Sequence, residues 1–212
     1  MTRQERERLQ LISTVTQHAE DLFRQNGYES TTLDALAESS EYTKKTIYRY
    51  FACKEDLYFA VMLKGHTELL DAIRQASQSG GDGNQRIMAA YSASYEFFCA
   101  NEWLYDLIAQ MGSIRQKKDP EDLPYYGKYT GRLEQIYDEI TALFTAAGAD
   151  GSIRRDLDTQ QAGLLSAFIL NGLFHMIRLY GGLFHTSLPG SRETLIGSAF
   201  RWLTEALSPG PA

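Results

Sequence analysis

Residues 31–51 decide the reading: Thr31-Thr32-Leu33-Asp34-Ala35-Leu36-Ala37-Glu38-Ser39-Ser40-Glu41-Tyr42-Thr43-Lys44-Lys45-Thr46-Ile47-Tyr48-Arg49-Tyr50-Phe51. Thr31, with Asp34 three residues later, resembles a capping box that opens a short helix from Thr32 to about Ser39. Its apolar positions are Leu33, Leu36 and Ala37. After a brief turn Thr43 can cap a second short helix, Lys44 to about Tyr50. Ile47 and Phe51 anchor that helix by their apolar sides, which leaves Lys44, Lys45, Thr46 and Tyr48 near its exposed N-terminal end. Two short helices joined by a tight turn, the second carrying cations and hydroxyls, make a helix-turn-helix arrangement suited to a DNA major groove. Lysines supply charge to phosphates and donors to guanine acceptors, while Thr and Tyr hydroxyls bond phosphate oxygens.

Working outward, the chain reads as helix throughout. Leu9, Ile12, Val15, Ala19, Leu22 and Phe23 recur at three- and four-residue steps, so Gln4 to Asn26 is an amphipathic helix stopped by Gly27, with Tyr28 free to fold back on its last turn. Lys54 to Gln78 is a long helix whose first-turn N–H groups, with Lys54, suit a phosphate. Ser79-Gly80-Gly81-Asp82-Gly83 reads as a flexible connector. Helical patterns follow at about 85–100 and 102–116, then a polar loop over Lys117 to Leu123. Pro124 suits the first turn of a helix running towards Ala147, with Gly127 and Gly131 weakening its start and Gly148 to Gly151 forming a turn. Asp158 caps a helix from Thr159 to Tyr180, ended by Gly181-Gly182, and Pro189 to Ser191 introduces a last one to about Leu207. The expectation is an all-α fold of about nine helices, with residues 1–54 as a three-helix DNA-binding domain and 55–212 as a larger helical domain.

Composition fits a globular protein: 43% hydrophobic and 23% charged residues in 212. No run approaches the roughly 20 consecutive apolar residues that span a bilayer, and the charged N-terminus lacks a signal-peptide pattern. With only Cys53 and Cys99, no disulfide framework or zinc spacing arises, so the expectation is a cytoplasmic protein with no membrane partner. The net charge of −6 speaks against nucleic acid only if it is uniform. It is not. Through Lys54 there are eight basic and eight acidic residues, so the remainder carries the whole deficit, and four cations fall between Lys44 and Lys54.

The wording of residues 26–57 is more specific than the bare pattern. Asn26-Gly27-Tyr28-Glu29-Ser30-Thr31-Thr32-Leu33-Asp34-Ala35-Leu36-Ala37-Glu38, then Thr43 to Phe51 and Lys54-Glu55-Asp56-Leu57, closely resembles the signature of the TetR family of transcriptional regulators. The resemblance covers about the first quarter of the chain. It implies phosphate contacts for Thr32, Thr43, Tyr48, Tyr50 and Lys54, and base reading by Lys44, Lys45 and Thr46; Arg49 touches phosphate or pairs with an acid. Where the family usually has Ala-Gly-Val in the turn, this chain has Ser40-Glu41-Tyr42. Glycine there relieves a left-handed backbone position, so Glu41 implies a small strain or a different turn. Lys45 stands where the family often has a small residue, and Cys53 where small or polar residues are common.

The resemblance further implies a homodimer that binds a palindromic operator as a repressor and is released by a small-molecule effector, apolar or aromatic, with no cofactor. The remainder of the chain would then hold an effector cavity and a dimer surface. The middle of the chain is rich in aromatics, and an apolar cavity with a few polar tips is what small-molecule sites need. Tyr91, Tyr95, Phe98, Trp103, Tyr126, Phe168 and His175 are the candidates for it. The 159–180 helix is apolar nearly all round and must be covered on more than one side, by its own core and by a second subunit. Phe168, Leu173, Met176, Ile177, Tyr180, Trp202 and Leu203 are candidates for that surface. Two other readings stay open: a DNA-binding factor controlled by another protein or by no ligand, and an all-α enzyme. No metalloprotease motif, nucleophile elbow, phosphate-binding loop or paired-carboxylate arrangement supports the enzyme. His18, His66 and His185 have no metal-ligand spacing.

Overall fold

The computed structural model describes residues 1–78, 80–117, 119, 122–182 and 191–209, without the side chains of 115–117. Ser79, part of the 117–123 loop, His185 and Pro189 therefore lie outside the described residues. Among those described there are nine helices and no strand: α1 Arg3–Asn26, α2 Leu33–Ser40, α3 Lys44–Tyr48, α4 Lys54–Ser77, α5 Gly83–Ala100, α6 Glu102–Lys117, α7 Pro124–Asp150, α8 Thr159–Tyr180 and α9 Arg192–Leu207. The chain forms two compact units, one of Met1–Thr67 with Asp106–Arg132, the other of Glu68–Tyr105 with the chain from Leu133 onward. It passes between them within α4, α6 and α7.

In the first unit α1 buries Val15, Ala19 and Phe23, as its periodicity requires. Gly27 stops it in a positive-φ conformation (φ 76°) with its N–H on the Phe23 carbonyl, and Tyr28 packs edge-on to Phe23 at 5.4 Å. The cap of α2 is Thr32, not Thr31: the Thr32 hydroxyl accepts from the Ala35 N–H at 3.2 Å. Thr31 is buried and donates its hydroxyl to the carbonyls of Leu22 and Gly27, at the end of α1. The two threonines divide the work, one closing the old helix and one opening the new.

α4 buries Leu57, Tyr58, Phe59 and Val61, and Tyr58 donates to the Leu107 carbonyl at 2.8 Å. His66 on the same helix is buried, with Nδ1 2.9 Å from the Met62 carbonyl oxygen and its ring edge-on to Tyr129. Burial pushes its pKa below the ordinary value, because the charged form is disfavoured away from water. A folded pKa below the unfolded one contributes stability that is complete above about pH 6.5 and is lost as pH falls below it. The melting temperature of His66→Phe, which keeps a ring against Tyr129, should therefore fall less between pH 7 and pH 5 than that of the native chain. Equal slopes would show that His66 is not the group responsible.

In the second unit Asp82 opens α5 with a full capping box to Gln85. Gly83, assigned by sequence to the flexible connector, is instead the first residue of that helix and is buried. α7 continues one turn past Ala147, through Gly148 to Asp150, and stops at Gly151 (φ 75°). Asp150 holds this corner: it accepts from the Gly83 N–H at 2.7 Å, the Ser152 N–H at 2.9 Å and the Arg86 guanidinium. Ser152, through its side chain and its N–H, with the Gly83 N–H and Arg86 after it, holds this carboxyl below the usual carboxylate range. Leu70, Ile73, Ala90 and Ile136 form one core cluster, and Phe98 stacks on Phe174 at 5.1 Å in another layer.

α8 starts at Asp158, whose carboxylate accepts from the N–H groups of Gln160 and Gln161. It buries a single stripe of Gly163, Ser166, Ala167, Leu170, Phe174 and Ile177. On its other sides Leu165, Phe168, Met176 and Leu179 remain 49–61% exposed. By length and apolarity alone α8 could cross a membrane, although no unbroken apolar run of that length was expected from the sequence.

Candidate nucleic-acid interface

The second of the two short helices is amphipathic in the sense expected. Ile47 and Phe51 are each 1% exposed, whereas Lys44, Lys45, Tyr48 and Arg49 face water and Thr46 and Tyr50 are half-buried. Thr43 caps α3 by accepting from the Thr46 N–H at 3.2 Å, and the two hydroxyls lie 2.9 Å apart. α3 is two residues shorter than the sequence reading: Arg49 and Tyr50 continue as a turn, closed by the Phe51 N–H on the Ile47 carbonyl. Thr32 is exposed at the start of α2.

The cations are held but not buried. Lys44 pairs with Asp34 of α2, and both side chains remain largely exposed. An exposed pair of this kind contributes about 0–1 kcal/mol, so an incoming phosphate can compete for the ammonium. Lys54 donates to the Glu29 carbonyl at 3.1 Å and lies over the Tyr28 ring at 4.3 Å. Tyr28 in turn donates to Glu55, and burial beside that carboxylate raises its pKa. Lys45 projects from the same exposed end as Thr43 and Lys44.

The turn between the helices carries the strain that the Ser40-Glu41-Tyr42 departure implies. Glu41 sits at φ 59°, ψ 19°, and is the one non-glycine residue at positive φ among those described. A left-handed conformation costs an L-residue about 1–2 kcal/mol, offset in part by the larger unfolded-state entropy of a glycine. Glu41→Gly should stabilise the chain by roughly 0.5–1 kcal/mol, read by denaturant unfolding. A loss of stability would mean that Glu41 makes a compensating contact.

Sequence reasoning missed the residues that support this surface from the α7 side. Asp56 is fully buried; its carboxylate accepts from the Ala52 N–H at 3.0 Å and the Tyr125 N–H at 2.8 Å. Tyr125 stacks on Phe51 at 5.2 Å, with rings 22° apart, and Lys128 lies over the Tyr125 ring. The available signal was Leu123: a leucine before Pro124 cannot cap α7, and proline has no N–H, so the first N–H of that helix, on Tyr125, had to find an acceptor elsewhere.

The second unit contains a small apolar cavity of about 40 Å³. Its wall is Leu69 and Ile73 of α4, Ile87, Ala90, Tyr91 and Ser94 of α5, Tyr105 of α6, Ile136, Ile140, Leu143 and Phe144 of α7, and Ala167, Leu170, Asn171 and Phe174 of α8. No charged side chain lines it. Of the residues expected around an effector, Tyr91 lines this space; its hydroxyl, beside Ser166, is raised to about 12 by burial. Tyr95 and Phe98 pack against Phe174, one layer behind the wall. Phe168 is 59% exposed against Tyr137, and Tyr126 lies in the first unit against Phe59. Trp103 Nε1 and His175 Nδ1 are buried without a hydrogen-bond partner among the described residues, and neither residue lines the cavity. The rings interlock with one another, and aliphatic side chains are left to form most of the wall.

Of the residues expected on a dimer surface, Phe168, Met176, Tyr180 and Trp202 are exposed, the last by 73%. Leu173 and Leu203 are half-buried, while Ile177 belongs to the buried stripe of α8.

Residues 15–61 match the family model described as bacterial regulatory proteins, tetR family. Over 90 residues the chain is 31% identical to the HTH-type transcriptional activator FasR of Mycolicibacterium smegmatis, a match covering 42% of this chain and 41% of the relative. The chain thus aligns with about two fifths of that protein's length. Among solved structures, a protein of unknown function from Rhodococcus sp. RHA1 superposes with a TM-score of 0.73 at 18% identity, covering 93% of this chain and 95% of the other. The transcriptional regulator FadR from Bacillus subtilis, solved in complex with stearoyl-CoA, gives 0.70 at 14% identity, covering 92% and 98%.

Proposed function

From the premise that the chain belongs to the tetR family of bacterial regulatory proteins, a family without enzymatic activity, we propose that it is a homodimeric, sequence-specific DNA-binding regulator of transcription. The observation that carries this reading is the division of α3: Ile47 and Phe51 hold it to the first unit, while Lys44, Lys45 and Tyr48 face solvent. Lys44, Lys45 and Thr46 read base edges; Thr32, Thr43, Tyr48, Tyr50 and Lys54 contact phosphates, with Arg49 at the margin. Residues 1–54 act as the DNA-binding domain and 55–212 as the regulatory one.

The exposed apolar face of α8, with Trp202 of α9, is the surface on which two copies meet. A dimer places two recognition helices on successive major grooves of a near-palindromic operator. The cavity's apolar lining suits an apolar small molecule, around which the space would have to widen; stearoyl-CoA bound to the B. subtilis FadR gives the acyl chain as the first class to try. A ligand that binds one arrangement of the chain better than another shifts operator affinity, and the coupling is reciprocal. Release of a repressor is the reading adopted. Activation is the second, because the M. smegmatis relative is named an activator; the position of the operator relative to the promoter separates them.

Selection from a random duplex library, followed by salt titration of the winning site, tests the DNA reading. A palindromic consensus is expected. Lys44→Ala/Lys45→Ala should weaken it by roughly thirtyfold to ten-thousandfold, since two base contacts worth about 1–3 kcal/mol each are removed. If the double variant bound the selected duplex as tightly as the native chain, α3 would not be the reading element.

A further inference from the structure

We propose that the cavity of the second unit selects an uncharged ligand, an apolar molecule carrying one alcohol, ketone or ester group, and that Tyr91 is the side chain that bonds this group. The inference rests on the ligand reading given above and goes beyond it by excluding the free carboxylate. Every wall residue belongs to the second unit, so the site lies within that unit alone. The lining is aliphatic and aromatic, and its polar members are Tyr91, Ser94, Tyr105 and Asn171. A carboxylate leaving water needs a cation or several donors in place of its hydration. The wall holds no Lys, Arg or His.

Two of the polar members are already committed. Ser94 donates to the Ala90 carbonyl at 2.8 Å, and Asn171 Nδ2 donates to the Ala167 carbonyl at 3.0 Å, each within its own helix. Tyr91 differs. The residue is 4% exposed, and its Oη is the one buried side-chain polar atom on the wall without a hydrogen-bond partner among the described residues. Ser166 of α8 stands beside it without closing a bond. Burial raises this phenol to about 12 and raises Tyr105 as well, so both stay neutral. A neutral phenol has a proton to donate and lone pairs to accept. A buried donor left unmet destabilises the free chain, so a ligand that meets it gains over one that is apolar throughout. The ring packs on Phe200 of α9 at 5.8 Å.

At about 40 Å³ the cavity admits water-sized groups as it stands and has to widen around anything larger, so the probes are small. Titration calorimetry of the full chain at pH 8 with p-xylene, octan-1-ol and octanoate makes the test. Octan-1-ol should compete with p-xylene and bind roughly tenfold or more tightly than octanoate, which is ionised at that pH. Tyr91→Phe keeps the ring against Phe200. It should weaken octan-1-ol roughly fivefold while leaving p-xylene within about twofold.

Octanoate binding as tightly as octan-1-ol overturns the selection against charge. Equal affinity of the native chain and Tyr91→Phe for octan-1-ol overturns the role of Tyr91 and means that water meets its hydroxyl. In both cases the cavity stands as a ligand site. If neither p-xylene nor octan-1-ol binds the native chain, the ligand reading falls and this inference falls with it.

Discussion

Asp56→Ala is expected to lower the unfolding free energy by about 3 kcal/mol, and the melting temperature by roughly 10 °C. The side chain is fully buried and its two oxygens serve two backbone N–H groups, on Ala52 and Tyr125. Hydrogen bonds to a charged acceptor are worth about 1.5–3 kcal/mol each, and the part of that sum lost to burying the carboxylate brings the net to the lower end. Alanine leaves both donors buried without a partner. Because one of them starts α7 and the other follows Phe51, the loss should show at both places: weaker near-ultraviolet signal from the Phe51–Tyr125 stack and weaker operator binding. A variant that melts within two degrees of native would mean that water reaches both N–H groups.

The second large effect belongs to Gly83→Ala, a change of one methyl group. A Cβ at this position would stand 2.3 Å from Ala147 Cα and 2.4 Å from Ala147 Cβ, well inside contact. α5 and α7 can approach this closely only because residue 83 has no side chain. Overpacking in a core costs about 1–3 kcal/mol when side chains can yield; here the obstacle is backbone, so the upper end or more is expected. The Gly83 N–H to Asp150 bond would be broken by the same displacement. Ala147→Gly should not rescue the variant, because Cα itself is in the way. Rescue, or a loss below 1 kcal/mol in chemical unfolding, would show that the two helices separate freely.

The head of the molecule was legible because its elements are amphipathic and individually capped. Val15, Ala19 and Phe23 announce the buried face of α1, and Ile47 with Phe51 fixes which side of α3 must be outside. The choice between Thr31 and Thr32 was not legible: both can cap, and only the position of the end of α1 makes one of them the hydroxyl for Leu22 and Gly27. The extra turn of α7 was hidden for a related reason. Gly148 reads as a stop, yet Ser152 and Ile153 supply N–H groups to the Ala147 carbonyl and the helix closes at Gly151 instead. For the cavity, composition pointed to aromatics. Its wall repeats instead at 87, 90, 91 and 94 and at 136, 140, 143 and 144, the spacing of any helix face that points inward. A buried face and a cavity wall carry the same pattern in sequence, so only three-dimensional packing separates them.

A dimer formed on the outer side of α8, as proposed, would make abundance a variable of the fold. Leu165, Phe168, Met176 and Leu179 remain in water on a single chain, and Gly172 among them leaves room for another backbone. When copies cover that side for one another, each association adds stability in proportion to the logarithm of concentration. A cell holding few copies would then keep them less folded and less able to occupy a two-fold site, while one holding many would keep them robust and saturating. Dosage would set a threshold for regulation before any ligand arrived, and diluting the purified chain should lower its melting temperature step by step.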